Sequence, residues 1–326
     1  MIKIGVIGAG NIAQKFSEAV KESKLVDGEL YAVASRNLEK AEKFKNNYNF
    51  LKAYGSYEEL YQDPNVDLVY IAVPHAFHYD QMMKALDYSK NILCEKPFTI
   101  NAELAKKVFK KAKEKQVFVM EAMWTRFLPV IQEVQKEIEN NLIGDINLLE
   151  SDFCFYPNKA IDHRLYQPKL GGGALLDVGI YPITFANIFM GSPKKITSTV
   201  EMYETGVDAT ENIIYHYEHG KAILNASIVK EKPLLATIVG NKGKIIVEGL
   251  HETESAKVYD KNDKLIKDIK IQHDTNGFEY EIKEAIDCIK ANKLESDIVS
   301  HQVTISVLEQ MDQIRKDWNF QYPIEK

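Results

Sequence analysis

The stretch Ile2-Lys3-Ile4-Gly5-Val6-Ile7-Gly8-Ala9-Gly10-Asn11-Ile12-Ala13 decides the fold. An apolar run over 2–7 ends in glycines and opens a helical pattern over 11–21. The spacing is GxGxxA. Gly8 permits a tight turn, Gly10 lets a pyrophosphate approach the backbone, and Ala13 lets a helix pack closely on a strand. The helix start at Asn11 and Ile12 adds N–H groups and a partial positive charge suited to phosphate. A strand–turn–helix of this kind at the head of a βαβ chain reads as a dinucleotide site.

The following hundred residues keep that rhythm. Strands are expected over 30–35, 66–73, 91–94 and 116–120, with helices over 37–46, 79–86 and 102–115. The run VDLVYIAV at 66–73 is apolar throughout, as a strand of a parallel sheet covered on both faces must be. After about residue 121 the pattern changes. A helix is expected over 128–140 and a strand over 146–155. A polar loop with Pro157 and Pro168 leads to a glycine triplet and an apolar helix. Strands then follow over 194–203, 211–218, 221–229, 234–240, 244–248, 255–260 and 264–271, separated by tight turns at His219-Gly220, Asn241-Lys242-Gly243 and Lys261-Asn262-Asp263. Helices over 277–290 and 300–316 close the chain. The fold class is therefore α/β, a doubly wound parallel sheet over 1–120, followed over 121–326 by an α+β domain on a large, mainly antiparallel sheet. The last helix can pack back on the first domain.

Composition narrows the function. A length of 326 residues favours about two domains, and 45% apolar with 27% charged residues is ordinary for a globular protein. A net charge of −6 gives no basic footprint for nucleic acid. Cys94, Cys154 and Cys288 are scattered and odd in number, which reads as reduced thiols in the cytoplasm. No CxxC or paired His/Cys spacing points to a metal. Met1 leads straight into a strand, so no signal peptide is expected, and no apolar run is read as a membrane span.

The end of the second strand should meet the adenosine ribose. An NAD site usually carries an acid there. This chain has Ala34-Ser35-Arg36, and Arg is scarce, with only Arg36, Arg126, Arg164 and Arg315. Ser35 can donate to a 2′-phosphate, and Arg36 can clamp it or lie over the adenine. Charge-assisted hydrogen bonds of roughly 1.5–3 kcal/mol each favour NADP over NAD. The plainer reading makes Arg36 a solvated loop residue. Two more segments fall at carboxyl ends of strands, where doubly wound sheets bind ligands: Val73-Pro74-His75-Ala76-Phe77-His78 and Cys94-Glu95-Lys96-Pro97. Lys96 follows a buried strand and precedes a proline that stiffens the turn, and Glu95 can hold its ammonium.

Gly171 to Tyr181, GGGALLDVGIY, is the other informative stretch. Three glycines require a loop of unusual backbone angles or close approach. Asp177 and Tyr181 are four apart, so in a regular helix they share one face. A carboxylate and a phenol there make an acid–base pair, or else Asp177 is a structural acid in a buried helix.

In this order GxGxxA, VPHAFH, EKPFT, EAMWTRFLP and RLYQPKLGGGALLDVGIYP resemble the Gfo/Idh/MocA oxidoreductases over essentially the whole chain. The nearest branch holds dimeric dihydrodiol dehydrogenase and glucose–fructose oxidoreductase. The resemblance implies a Rossmann domain plus an open-faced sheet that joins subunits into dimers or tetramers. It implies that Lys96 sits beside the nicotinamide ribose and substrate, and that Tyr181 is the acid/base with Asp177 before it. A free tyrosine titrates near about 10, and a nearby ammonium favours the phenolate, so Lys96 can activate Tyr181. Glu121, Trp124 and Arg126 are expected at the nicotinamide pocket, Trp124 being either a lid or a core aromatic. His78 is a cofactor-pocket residue or a satisfied core histidine. His75 replaces the asparagine common in the family and carries no assigned role. Arg164 reaches substrate or forms a surface ion pair.

The expected function is NADP-linked hydride transfer at a secondary alcohol or hemiacetal of a sugar, polyol or cyclic trans-dihydrodiol. A sugar–sugar oxidoreductase with tightly held NADP, a redox-neutral lyase or glycosidase, and an NADP-sensing protein without turnover are the alternatives.

Overall fold

A computed structural model describes residues 1–325 and divides them into two compact units, 1–124 with 273–305, and 125–272 with 306–325. In chain order the first unit contains β1 (Ile2–Ile7), α1 (Asn11–Glu22), β2 (Gly28–Ala34), α2 (Leu38–Tyr48), β3 (Lys52–Tyr54) and α3 (Tyr57–Gln62). It continues with β4 (Leu68–Ile71), α4 (His78–Asp87), β5 (Asn91–Glu95), α5 (Ala102–Lys115) and β6 (Val119–Ala122). All six strands are parallel in the order β3-β2-β1-β4-β5-β6. This is the doubly wound dinucleotide-binding order, with its switch point between β1 and β4. Leu68, Val69, Tyr70 and Ile71 are fully buried, as the apolar run at β4 requires.

The second unit holds α6 (Pro129–Glu139), β7 (Ile146–Cys154), α7 (Ile180–Met190), β8 (Lys195–Met202), β9 (Asp208–Tyr217), β10 (Gly220–Ser227), β11 (Leu235–Gly240), β12 (Gly243–Glu248), β13 (Ser255–Asp260) and β14 (Leu265–Lys270). Its eight strands run β14-β13-β12-β11-β7-β10-β9-β8. Pairings are antiparallel except β7 with β10. Buried positions alternate along β10, β11 and β12, so one face of the sheet carries the core under α7. Two helices follow, α8 (Phe278–Lys290) in the first unit and α9 (His301–Asp317), whose residues divide between the units.

Local sequence explains most boundaries. Asn37 and Asn101 cap α2 and α5 by accepting from Lys40 N and Leu104 N. Gln116 ends α5 with φ 55, so the next strand starts at Val119 rather than at 116 as expected. Three features differ further from the expectation. β3 and α3 were not foreseen; β3 is three residues on a sheet edge, and α3 rests on a capping box between Ser56 and Glu59. β9 begins three residues earlier than 211, taking in Asp208. The apolar segment after the glycines does not start as a regular helix: Leu175–Gly179 forms a π-turn before α7. Pro168–Met190 also proves long and apolar enough to cross a membrane by length and composition, although 78% of its apolar window is buried inside the protein. That burial fits a helix that is hydrophobic all round and lies in a core.

Candidate active site

The first unit collects its candidate residues along one edge. Gly8 follows β1, Ser35 follows β2, Pro74 lies beyond β4, Lys96 follows β5, and Trp124 lies just past β6. All stand at carboxyl ends of parallel strands. Gly8 has φ +93, and a Cβ there would lie 2.5 Å from the Ala72 carbonyl oxygen, so only glycine fits. Gly10 caps α1, and no heavy atom lies within 4 Å of where its Cβ would be. The space beside the start of α1 at Asn11 and Ile12 is therefore open, at a helix N-terminus whose N–H groups suit an anion. Ala13 is fully buried under that turn.

Ser35 is buried and its hydroxyl accepts from Asn37 N at 3.4 Å; Arg36 is exposed. No acid occupies this strand end, which suits a phosphorylated ribose. His78 is fully buried, with Nδ1 2.9 Å from Pro97 O and Nε2 2.8 Å from Val73 O. Burial drives its pKa down to about 4 against the carbonyls that favour a proton. The ring thus pins the loop after β4 to the Lys96-Pro97 turn, which contains a cis peptide bond. Both ring nitrogens are thereby satisfied, as in a core histidine. His75 is also buried and meets His78 edge-on at 5.7 Å.

Beneath Lys96 lies a group of acids. Glu95 accepts from the Tyr70 hydroxyl, and Glu121 accepts from Phe98 N and Thr304 Oγ1, both at 2.9 Å. Burial, aided by Glu121, pushes Glu95 up to about 7, while Tyr70 and the Lys96 ammonium pull it down. Glu281 of α8 is fully buried near both acids and held well above the usual carboxylate range, first by burial. Trp124 is buried and packs on Phe278 at 4.6 Å, as a core aromatic does. Arg126, in the next short turn of the second unit, is half-buried.

The second unit holds three other candidates and pairs two of them. Arg164 Nη1 donates to Asp177 Oδ1 at 2.9 Å, with Asp177 buried and Arg164 more open. The π-turn changes the expected geometry, because Asp177 belongs to it and Tyr181 to the first turn of α7. Tyr181 is buried among rings, with Phe153 at 5.2 Å and His251 at 5.5 Å. Phe153 and His251 also touch each other at 4.6 Å. Neither was singled out in the sequence, where a lone phenylalanine in a strand and a histidine in a loop carry no pattern. Further along, Phe155 lines an open cleft of about 470 Å³ with Cys154, Glu231, Lys232, Pro233 and Leu234.

The glycine triplet is folded tightly. Gly171 has φ +72 and Gly173 φ +115. Gly173 N donates to Leu165 O at 2.8 Å, and the Tyr322 hydroxyl donates to Gly172 O at 2.8 Å. The Arg164-bearing turn and the C-terminal segment therefore both hold the loop that leads to Asp177. Among the described residues no cluster of His, Cys, Asp and Glu is arranged to hold a metal.

Comparison with known proteins gives this arrangement a context. Residues 2–123 match an oxidoreductase family with an NAD-binding Rossmann fold, and residues 131–246 match the GFO/IDH/MocA C-terminal domain. The chain is 35% identical to trans-1,2-dihydrobenzene-1,2-diol dehydrogenase of Xenopus tropicalis, covering 98% of this chain and 99% of that one. It is 30% identical to the NADP(+)-linked scyllo-inositol 2-dehydrogenase of Bacillus subtilis, over 100% of both chains. In fold it is similar to a 3-ketoreductase of Actinomadura kijaniata solved with NADP and TDP-benzene, with a TM-score of 0.88, 24% identity and 97% of each chain covered. The chain belongs to the Gfo/Idh/MocA family of oxidoreductases.

Proposed function

We propose that the protein is an NADP-dependent dehydrogenase that moves a hydride between the nicotinamide and a carbinol carbon of a sugar, polyol or cyclic trans-dihydrodiol. NADP dependence is supported by relatives that use it and by a β2 end that offers Ser35 and Arg36 in place of an acid. Gly8, Gly10, Asn11 and Ile12 would hold the pyrophosphate, with Pro74, Glu95, Lys96, Trp124 and Arg126 toward the nicotinamide. Bound along this edge, NADP supplies the hydride acceptor. The remaining chemistry is a proton transfer. Tyr181 Oη takes the hydroxyl proton as the carbinol C–H bond gives up its hydride and a C=O bond forms. In reduction the same phenol returns the proton to oxygen. Lys96 is assigned the ammonium that favours the phenolate. Asp177, oriented by Arg164, is assigned to a substrate hydroxyl. We further place the protein in the cytoplasm, on its three unpaired cysteines, and assign assembly as a dimer or tetramer to the open face of the eight-stranded sheet.

The observation that carries this reading is the Arg164–Asp177 pair one turn before a buried tyrosine walled by Phe153 and His251. A screen of cofactor reduction over aldoses, inositols, anhydro sugars and trans-dihydrodiols, with NAD and NADP in parallel, tests it. Net NADPH formation with a single alcohol is the expected result. Preference for NAD, or no net reduction with any of these alcohols, would contradict it.

A further inference from the structure

The π-turn that carries Asp177 is bracketed by glycines, and each meets a buried acid of β9. A Cβ on Gly173 would collide with Asp208 Oδ1, and a Cβ on Gly179 would lie 3.0 Å from Glu211 Oε2. Asp208 Oδ2 also accepts from Leu175 N, the first residue of the turn, at 2.6 Å. Both acids are fully buried, and Asp208 Oδ1 and the two Glu211 oxygens meet no partner except each other. π-turns recur at functional sites, and a buried acid pair with three such oxygens needs an explanation. A wide turn exposes carbonyl and N–H groups to its surroundings, and two carboxyls from a rigid strand can fix both its ends.

We propose that Asp208 and Glu211 are positioning residues for the substrate side of the site: as a hydrogen-bonded pair they hold the two ends of the π-turn and so aim Asp177 and the following Tyr181. This rests on the roles assigned above to Asp177 and Tyr181.

The protonation of the pair follows from what faces it. Burial raises Glu211 well above the carboxylate range, and the Asp208 charge adds to this; burial raises Asp208 too, with the Leu175 N–H and Arg315 opposing. Tyr215 on β9, Cys154 on β7 and Tyr322 in the C-terminal segment are the other titratable groups nearby, and burial raises all three. The Arg315 charge bears on Asp208, and that guanidinium already binds Asp312 and Glu325. The proton shared by the two carboxyls is assigned to Glu211, the one that burial and the neighbouring charge raise more strongly. Its folded pKa lies above the unfolded value, so its contribution is complete at low pH and is lost as pH rises through the folded pKa.

The test uses the full-length protein with Glu211→Gln, Glu211→Leu and Gly179→Ala. Gln keeps a donor that cannot ionise; Leu removes it; Gly179→Ala presses on Glu211 while leaving both acids in place. Hydrogen exchange of residues 171–181 at about pH 6 and about pH 9 reads the turn directly. Turnover with the best alcohol from the screen, and the Kd for NADP, read the site. Glu211→Leu and Gly179→Ala should lose protection over 171–181 and about 100-fold in kcat, with NADP Kd unchanged within about twofold. Glu211→Gln should keep turnover and hold its protection at high pH better than the wild type. Equal loss in Gln and Leu, or unchanged protection and turnover in Leu and Gly179→Ala, overturns the proposal. Tyr181→Phe separates it from the reading beneath it. Normal turnover there sinks the role of Tyr181, while the exchange data still decide whether the acid pair holds the turn.

Discussion

The carboxyl edge of the parallel sheet and the glycine loop of the second unit place their candidate groups by opposite means. Along the edge, each residue is set by the strand directly before it: Gly8 by β1, Ser35 by β2, Lys96 by β5. In the loop, Asp177 and Tyr181 are set by partners distant in sequence. Asp208 reaches Leu175 across 33 positions, and Tyr322 reaches Gly172 across 150. A site made locally can be read from a motif. In the loop the residues Asp177 and Tyr181 also stand out in the sequence, but the long-range contacts that hold the backbone before them show only once the chain is folded.

Two glycine substitutions should break the two regions separately. Gly173→Ala forces a side chain onto Asp208 at φ +115, and should lower kcat by about 100-fold with NADP affinity retained. Gly8→Ala combines φ +93 with a Cβ 2.5 Å from Ala72 O. A cost of roughly 2 kcal/mol in the bound geometry corresponds to about 30-fold in NADP affinity, measured by titration calorimetry. If the two variants lose the same property to the same degree, the contrast between the regions is false.

A smaller effect sharpens the account of the edge. Arg36 is exposed, so the contact proposed for it with a 2′-phosphate would be screened by water. Arg36→Ala should reduce the NADP-over-NAD ratio of kcat/KM by about tenfold and leave NAD turnover unchanged. Parallel kinetics with both cofactors check it, and an unchanged ratio removes Arg36 from cofactor choice.

The same contrast explains what the sequence disclosed. The strand–turn–helix at Gly8–Ala13, the apolar run at β4 and the paired turns of the second sheet are local patterns, and they yielded both the parallel and the largely antiparallel sheet. α3 escaped although Ser56 and Glu59 spell a capping box, because its six residues are too few to show a helical period. The π-turn escaped for a different reason. Its apolar residues are compatible with a regular helix, and the acids that shape it lie on a strand expected to begin only at 211. Asp208 lies before the expected strand and Glu211 at its first position, and neither carries a pattern; burial shows that both are interior. The parallel pairing of β7 with β10 was likewise hidden, since no local signal ties residues 148–154 to 221–227.

Tyr181 decides the central claim. Single-turnover hydride transfer to NADP should fall about 1000-fold in Tyr181→Phe, because the hydroxyl proton then has no acceptor, while Kd for NADP stays within about twofold of wild type. Hydride transfer at near the wild-type rate in that variant would contradict the account.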